Sequence, residues 1–320
     1  MISLDEKIID QNSSVAQRMI EYGKTEPVFI LIPSAKKIEL KLSEQVHVFC
    51  SGGNKIQQFF RLVYLGKKIC KDNVISLITT QDPFFTALAG FFIQKKSKSK
   101  LEIQVHGDFF GSDFYSHEFA KQLIGRFILR RVDFVRVVGE RIKQSLIQLG
   151  IPEQKITVRP VQQNMHLNAS PNFSLREKYP NFQKIFLCMG RMEPVKNGVF
   201  LISVFEQVLK SNPGFVLLFV GEGSKKDEWI QEVQTRNLEK NIIFEPWTNS
   251  VLEYMKTADA LLFPSLSEGY GLVAMEAASV GLPVIMNDVG VANYELHASE
   301  KVKIIPVDEK ENWVEAIRNI

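Results

Sequence analysis

The sequence is poor in the features that mark several protein classes. It has three cysteines, Cys50, Cys70 and Cys188, which lie far apart and form no C-x-x-C pair. Neither a zinc site nor a disulfide framework is indicated, and a reducing cytoplasm is the expected compartment. The sequence contains no tandem repeat and no Asp-x-Asp motif, and its N-terminus lacks the basic-then-apolar order of a signal peptide.

Long apolar runs and a strong net charge are also missing. The apolar segment from Pro83 to Ile93 is too short to span a bilayer. The net charge of +3 is too weak to indicate a nucleic-acid partner. With 320 residues, of which 45% are hydrophobic and 23% charged, the composition is that of a globular protein with one large domain or two ordinary ones.

Strand-like and helix-like runs alternate along the chain, which predicts parallel sheets with helices on both faces. The clearest strands are predicted at Val28–Ile32, Val46–Cys50, Val74–Ile78, Leu101–Val105, Lys184–Met189, Phe215–Val220 and Ala260–Phe263. Between Arg159 and Pro180 the chain is rich in Pro and Asn and loses its periodicity. We therefore predict two Rossmann-like domains, residues 1–168 and 169–320, with a boundary near Asn168.

The stretch Leu261–Val284 predicts a strand, a Ser- and Gly-rich turn, and a helix that begins near Gly271. A helix start offers free N–H groups and a partial positive charge, so this turn indicates an anion site. Glu268 lies in the turn, and Glu276 lies about two turns further on. Sugar hydroxyls give a reason for acids beside a phosphate, because one carboxylate can accept hydrogen bonds from two neighbouring hydroxyls.

A second candidate group lies in the loop after the predicted strand Lys184–Met189. Arg191 and Lys196 can clamp a diphosphate there and replace a divalent metal. The alternative is two solvated surface cations, which is the usual case for a lone basic pair. The anion site predicted downstream favours the functional interpretation.

His106 directly follows the predicted strand Leu101–Val105. Gly107 allows close approach to the backbone, and Asp108 adds a carboxylate within reach. A lone histidine is more often structural than functional. The position favours a functional role, because ligands of doubly wound sheets bind at the carboxyl ends of the strands.

The turn Glu268-Gly-Tyr-Gly-Leu-Val-Ala-Met-Glu276 resembles the E-x7-E signature of family 4 retaining glycosyltransferases, in glycosyl transferases group 1. The loop Gly190–Asn197 resembles that family's donor-phosphate loop. The resemblance implies a GT-B fold, with two Rossmann-like α/β/α domains that face each other across a cleft, the N-terminal one for the acceptor and the C-terminal one for the donor. It also implies hexosyl transfer from a nucleotide diphosphate sugar to an acceptor hydroxyl, with retention, in cell-surface polysaccharide or glycoconjugate synthesis. No cofactor and no metal are expected.

The resemblance also assigns roles to single residues. It implies catalytic roles for His106 and Glu268 and gives Glu276 the ribose hydroxyls. The donor-binding residues it implies are Gly190, Arg191, Lys196, Gly221, Glu222, Trp247, Asn249, Gly269, Tyr270, Gly271, Leu272 and Glu276. For Gly221-Glu222-Gly223 the alternative is a simple turn, and for Trp247 it is core packing. Asp108, Ser13 and Ser14 are acceptor-side candidates, because the loop Asp10–Val15 lacks the glycines that the family often has near the diphosphate.

The expected partners are a nucleotide-sugar donor and a carbohydrate or lipid-linked acceptor. The segment Lys95–Lys100 is either a solvated helix end or a peripheral contact with anionic lipid, which would place a cytoplasmic protein at the inner face of the membrane. Two other functions stay open: a nucleotide-sugar 2-epimerase of the same architecture, and a non-catalytic nucleotide-sugar binding subunit. The last helix, which in this fold crosses back to the first domain, is expected to be missing.

Overall fold

The computed structural model describes residues 1–161 and 173–320 and separates into two compact units. The first unit comprises Met1–Gly111, Tyr115–Val138 and Ile142–Arg159. The second comprises the described residues from Pro160 onward, with two short stretches, Ser112–Phe114 and Gly139–Arg141. Two α/β units confirm the predicted fold class. The boundary predicted near Asn168 lies outside the described residues.

The described strands of the first unit are β1 Val28–Ile32, β2 Lys37–Ser43, β3 Val46–Ser51, β4 Leu77–Thr80, β5 Lys100–Val105, β6 Phe134–Val137 and β7 Ile156–Val158. They form one sheet of order β1-β3-β2 and another of order β4-β5-β6-β7. Neighbours pair in parallel except for β2, which runs antiparallel to β3. Ile2 bridges Leu31 of β1 and Thr80 of β4, so the first residues of the chain link the two sheets.

Two features of these sheets differ from the sequence-based prediction. The edge strand β2 was not predicted, because its sequence KIELKLS alternates charged and apolar residues and half of it faces solvent. Strand β4 begins at Leu77 rather than at Val74, which is fully exposed. Pairing with β5 begins only at Leu77, so no neighbouring strand covers Val74, although its side chain is apolar.

The helices that begin before residue 160 are α1 Ser14–Gly23, α2 Lys55–Asp72, α3 Phe85–Gln94, α4 Phe119–Leu129 and α5 Glu140–Gln148. Helix α2 begins with a capping box, in which Asn54 accepts from the Gln57 N–H and the Gln57 side chain accepts from the Asn54 N–H. Helix α3 packs between α2 and α4. Within the two described ranges, no helix is both long and apolar enough to cross a bilayer.

The strands of the second unit are β8 Lys184–Met189, β9 Phe215–Val220, β10 Ile242–Glu245, β11 Ala260–Phe263, β12 Val284–Met286 and β13 Val302–Ile304. They form one parallel sheet of order β10-β9-β8-β11-β12-β13. The bounds of β8, β9 and β11 are those predicted. Their near-continuous apolar sequences fit strands that are buried on both faces.

The helices of this unit are α6 Leu175–Lys178, α7 Gly198–Leu209, α8 Lys226–Thr235, α9 Val251–Thr257, α10 Leu272–Ser279 and α11 Lys310–Arg318. Successive strand residues pack into different cores: Phe186 joins the core with α7 and α11, and Leu187 joins the core with α10. The sheet is therefore covered on both faces. Its strand order reverses between β8 and β11, so the expected ligand crevice lies at the carboxyl ends of these two strands.

Candidate functional site

The loops that follow β8 and β11 lie side by side at this switch point. The N–H of Leu266 donates to the carbonyl of Val195 at 2.8 Å. The side-chain amide of Asn287, directly after β12, donates to the carbonyl of Ser265, also at 2.8 Å. Hydrogen bonds to backbone carbonyls thus hold together loops that are far apart in the sequence.

Lys196 and Glu268 form an ion pair across these loops, with Nζ and Oε1 at 2.5 Å. Their side chains are only 18% and 15% exposed, and the ammonium lies 5.0 Å from the ring centroid of Phe263. The structure therefore brings together two residues that the sequence assigned separately to the phosphate and to the sugar. A partly buried cation beside a carboxylate is placed to meet a ligand that carries both an anionic group and hydroxyls.

Arg191 and Lys196 line one small pocket at the end of β8. Arg191 is exposed, and Phe263, Cys188 and Ser265 are further lining residues. Burial raises the pKa of the Cys188 thiol to about 12, although the nearby Lys196 charge lowers it in part. The thiol is thus neutral at physiological pH, and the charge of the pocket comes from its two cations.

Ser265 is a pocket residue that the sequence analysis missed. It is 1% exposed, and no hydrogen-bond partner for its hydroxyl exists among the described residues. A buried hydroxyl without a partner costs about 1–3 kcal/mol, so Ser265 is a candidate for a hydrogen bond to a ligand. The sequence gave no signal for it, because a serine after Pro264 is also an ordinary turn residue.

Gly190 and Gly221 let the ends of β8 and β9 touch through their backbones. Their φ angles are +137° and +145°, a conformation that side chains disfavour. A Cβ on Gly221 would stand 2.0 Å from the Gly190 carbonyl oxygen. The Gly221 N–H donates to the carbonyl of Glu245 at 3.1 Å, which adds β10 to the junction. The structure thus gives both glycines a packing role, and their predicted contact with the donor stays a prediction.

Helix α10 begins at Leu272 with an open first turn. Its cap residue, Gly271, has a φ of +91° and makes no side-chain capping bond. The preceding Gly269 and Tyr270 are half-buried, and the carbonyl of Tyr270 accepts from the N–H of Val291 at 2.8 Å. The turn is therefore fixed and the helix start leaves its first N–H groups without a side-chain cap, while the anion site predicted there stays a prediction.

Glu276 is half-buried on α10. Burial raises the pKa of its carboxyl above the ordinary value. No hydrogen bond or ion pair to this carboxylate occurs within the described residues. Because a desolvated carboxylate is unfavourable without partners, Glu276 is suited to accept hydrogen bonds from a ligand.

Three further donor candidates lie at the ends of β9 and β10. Glu222 accepts a bond from Lys226 at 2.8 Å, and its side chain is 55% exposed. Trp247 is 65% exposed, which excludes the core-packing alternative, and Asn249 is also exposed. An exposed indole can stack on a flat ring, so Trp247 stays available for a nucleobase.

In the first unit, His106 follows β5 as predicted. Its imidazole lies beside a hydrogen-bonded group of polar side chains on three neighbouring strands, β4, β5 and β6. Its Nε2 lies 3.2 Å from Oε1 of Gln104, which also accepts from Arg136 at 3.2 Å. The amide of Gln104 donates to Thr79 at 2.9 Å. Desolvation, and then the Arg136 charge, lower the pKa of His106, so the imidazole is neutral at pH 7. Arg136 was missed, because a single cation within a short strand gives no motif.

The acceptor-side candidates have local roles in the structure. Asp108 is buried, and its carboxylate accepts from the N–H of Gly111 at 3.0 Å. Ser13 caps α1 by accepting from Ala16 at 3.0 Å and donates to the carbonyl of Lys7 at 2.6 Å. Ser14 is exposed on the first turn of α1. The cap occupies the hydroxyl of Ser13, so an acceptor contact for these residues stays a prediction.

A buried acid that the sequence analysis did not single out lies at the end of β10. Burial alone would raise the pKa of Glu245, but hydrogen bonds from Lys178 and Tyr179 lower it. Lys178 is bound at 2.5 Å, and Tyr254 adds a longer bond at 3.4 Å. This group fixes α6 and α9 to the sheet.

In the part of the chain that the structure describes, no three His, Cys, Asp or Glu side chains cluster as a metal site requires.

Residues 173–320 match the family model of glycosyl transferases group 1. One similar protein is the UDP-Gal:alpha-D-GlcNAc-diphosphoundecaprenol alpha-1,3-galactosyltransferase of Escherichia coli, 26% identical over 178 residues, which are 53% of this chain and 46% of that protein. Another is the N-acetylgalactosamine-N,N'-diacetylbacillosaminyl-diphospho-undecaprenol 4-alpha-N-acetylgalactosaminyltransferase of Campylobacter jejuni, 24% identical over 299 residues, which are 88% of this chain and 78% of that protein. The match to the E. coli relative thus spans less than half of its length.

The fold resembles that of HepE from Anabaena, solved in complex with UDP, with a TM-score of 0.76 and 16% identity over 99% of this chain and 88% of that one. Two Rossmann-like units are the components of the GT-B fold, which confirms the predicted fold class. The match to the glycosyl transferases group 1 model, residues 173–320, covers nearly half of the chain and includes the turn at Glu268. This match and the two glycosyltransferase relatives confirm the resemblance predicted from the turn at Glu268.

Proposed function

We propose that this protein transfers a hexosyl group from a nucleoside diphosphate sugar to an acceptor hydroxyl, with retention at the anomeric carbon and without a metal ion. The observation that carries the proposal is the Lys196–Glu268 pair, at 2.5 Å, at the switch point of the second unit. It combines a cation for a phosphate with a carboxylate for sugar hydroxyls. The uncapped start of α10 follows Glu268 by only a few residues.

The diphosphate would be held by cations and by the helix start. Arg191 and Lys196 supply two positive charges, and the N–H groups at the start of α10 supply a partial positive charge. When the bond between the anomeric carbon and the phosphate oxygen breaks, its electron pair stays on the leaving diphosphate. Donors placed where this negative charge develops stabilise the transition state more than the ground state.

The remaining steps need no nucleophile from the protein. The sugar becomes oxocarbenium-like, and the acceptor hydroxyl attacks the face from which the diphosphate departs. Its proton passes to the departing phosphate oxygen, so all atoms and charges balance. In this scheme Glu268 binds sugar hydroxyls. The single N–H of the neutral His106 lies at Nε2, toward Oε1 of Gln104, which leaves Nδ1 as an acceptor for a hydroxyl.

The nucleotide would be bound by the C-terminal half of the same unit. Glu276 has the raised pKa and the lack of partners that favour an interaction with the two ribose hydroxyls. The exposed indole of Trp247 is suited to stack on the base. We propose uridine as the base, because the name of the E. coli relative specifies a UDP-sugar donor.

The acceptor would be a lipid-linked carbohydrate. The names of both relatives specify acceptors on diphosphoundecaprenol, and this supports a role in cell-surface glycan synthesis. A cytoplasmic protein that acts at the inner face of the membrane would meet both the nucleotide sugar and such a lipid.

Turnover with radiolabelled UDP-hexoses and a diphosphoundecaprenol-linked sugar tests this proposal. Label that moves to the lipid, with release of UDP and an α-configured new bond, is the expected result. A free 2-epimeric sugar nucleotide formed without acceptor would instead support the epimerase. Donor binding without any product would support the non-catalytic subunit.

The affinity for the donor is expected to fall as the pH falls through the raised pKa of Glu276. The ionised carboxylate accepts from the ribose, and protonation removes that capacity, so the loss begins at a higher pH than for an ordinary glutamate. Calorimetric titration with a UDP-sugar is suitable, because its doubly esterified diphosphate gains no proton in this range. Glu276→Gln should bind about tenfold more weakly and without this pH dependence. If the affinity of Glu276→Gln still fell with pH in the same way, the proposed contact between Glu276 and the ribose would be contradicted.

Ser265→Ala is expected to have opposite effects on the free protein and on the complex. The free protein should keep its stability or gain some, because the variant loses a buried hydroxyl without a partner. The dissociation constant for UDP-sugar should rise about tenfold, since one hydrogen bond is worth about 0.5–1.5 kcal/mol. Thermal unfolding and titration calorimetry measure the two quantities. A destabilised variant with unchanged affinity would show that the hydroxyl serves only the fold.

A further inference from the structure

Helices α2, α3 and α4 lie side by side in the first unit and present large apolar side chains to solvent. On α2, residues at every fourth position are strongly exposed: Ile56 at 72%, Phe60 at 67% and Tyr64 at 68%. On α4 the corresponding series is Phe119 at 70%, Leu123 at 53% and Phe127 at 47%. Clustered exposed apolar side chains of this size mark an interaction surface on a globular unit.

Aromatic rings connect the three helices without a break. The centroid of Phe60 lies 5.7 Å from that of Phe59, and Phe59 lies 6.1 Å from Phe92 on α3. Phe92 lies 6.0 Å from Phe91, which in turn lies 6.0 Å from Phe127 on α4. The chain of contacts passes through Phe91, which is buried, so the exposed side chains of the three helices border one shared aromatic cluster. We call the surface formed by the exposed side chains of these helices the α2–α4 face.

The segments that carry the α2–α4 face are also strongly basic. Residues 55–72, 85–100 and 119–131 contain thirteen of the 39 Lys and Arg residues but only one of the 36 Asp and Glu residues. These segments thus carry a net charge of +12, and the rest of the chain carries −9. Cations lie directly at the rings: the Lys95 ammonium is 4.7 Å from the centroid of Phe91, and the Arg131 guanidinium is 3.8 Å from that of Phe127.

We propose that the α2–α4 face docks on a bilayer that contains anionic lipid. Aromatic side chains surrounded by Lys and Arg are the combination that holds a protein in the interfacial region of such a membrane. The charge complementarity selects this occupant over a second copy of the same face, which would bring two strongly basic surfaces together. The proposal does not depend on the proposed activity, although a lipid-linked acceptor would lie in the same membrane.

Flotation with phospholipid vesicles tests the proposal on the whole chain. We expect binding to vesicles of phosphatidylcholine with about one third phosphatidylglycerol, weak binding to pure phosphatidylcholine, and loss of binding as salt rises. The triple variant Lys95→Gln/Lys96→Gln/Lys98→Gln should lower the partition coefficient about 100-fold, at about fivefold per charge. Phe60→Ser/Phe119→Ser should lower it at every salt concentration, because these exposed rings supply the apolar part of the contact.

The control variant Lys36→Gln/Lys210→Gln/Lys240→Gln removes the same charge from exposed positions outside the α2–α4 face. It should keep most of the binding. Equal losses in both triple variants, or no binding of the folded chain to anionic vesicles, would overturn the proposal. So would light scattering that shows a dimer which Phe60→Ser/Phe119→Ser dissociates. UDP binding should be unchanged in all these variants, so failure of the donor site is measured separately.

Discussion

Lys196→Gln is expected to lower kcat/KM for sugar transfer by about 10²–10³-fold, the loss typical of one donor that stabilises a developing anion. The ammonium lies in the pocket with Arg191, partly shielded from water, so its charge acts strongly on a diphosphate. Initial rates with the lipid-linked acceptor at varied UDP-sugar concentration measure the effect. The dissociation constant of UDP should rise as well, because the leaving diphosphate also occurs in the product.

Lys184→Gln is the matched control. Lys184 lies at the other end of the same strand, β8, and forms an ion pair with Asp259 at 3.3 Å. Both variants remove one lysine from one ion pair, but only Lys196 lies at the carboxyl end. Equal and small effects of the two substitutions on kcat/KM would show that the Lys196–Glu268 pair is merely structural.

Gly221→Ala is expected to destabilise the second unit by about 2–6 kcal/mol. The positive φ of +145° contributes backbone strain of about 1–3 kcal/mol in any residue with a side chain. The new Cβ would also stand 2.0 Å from the Gly190 carbonyl oxygen, and overpacking of this kind costs about 1–3 kcal/mol. Chemical denaturation, followed by the fluorescence of Trp229 and Trp313 in the same unit, measures the change.

Gly281→Ala separates the two contributions. Gly281 also has a positive φ, +79°, but a Cβ there would meet only the end of the flexible Lys301 side chain, at 3.6 Å. We expect a loss of about 1–2 kcal/mol from the left-handed backbone alone. A Gly221→Ala variant no less stable than Gly281→Ala would contradict the close contact between the ends of β8 and β9.

The fold of the second unit could be predicted because its signals are local. Strands β8 and β9 are nearly continuous apolar runs that end at glycine, and their bounds follow from the sequence alone. The edge strand β2 could not be predicted in the same way, because pairing with β3 rather than burial makes it a strand. Val74 shows the reverse case, an apolar residue that no partner strand covers.

The sequence predicted the charged residues of the pocket but neither Ser265 nor the arrangement of the site. Lys196 and Glu268 were each assigned from a loop motif, yet their ion pair depends on how two distant loops lie side by side. Ser265 could not be recognised from the sequence, because its hydroxyl is a candidate contact only through its burial in the folded pocket. The net charge of +3 likewise concealed the α2–α4 face, because the packing of three helices brings its charges together.

Thermal unfolding with UDP, GDP, ADP and their common sugars, with and without EDTA, tests most directly whether the second unit binds a nucleotide sugar. A ligand that binds only the native state raises the unfolding midpoint by mass action. We predict a shift with uridine nucleotides that EDTA does not alter, that Lys196→Gln and Glu276→Gln reduce, and that Lys184→Gln retains. A folded protein whose midpoint no nucleotide moves would contradict the proposed donor site.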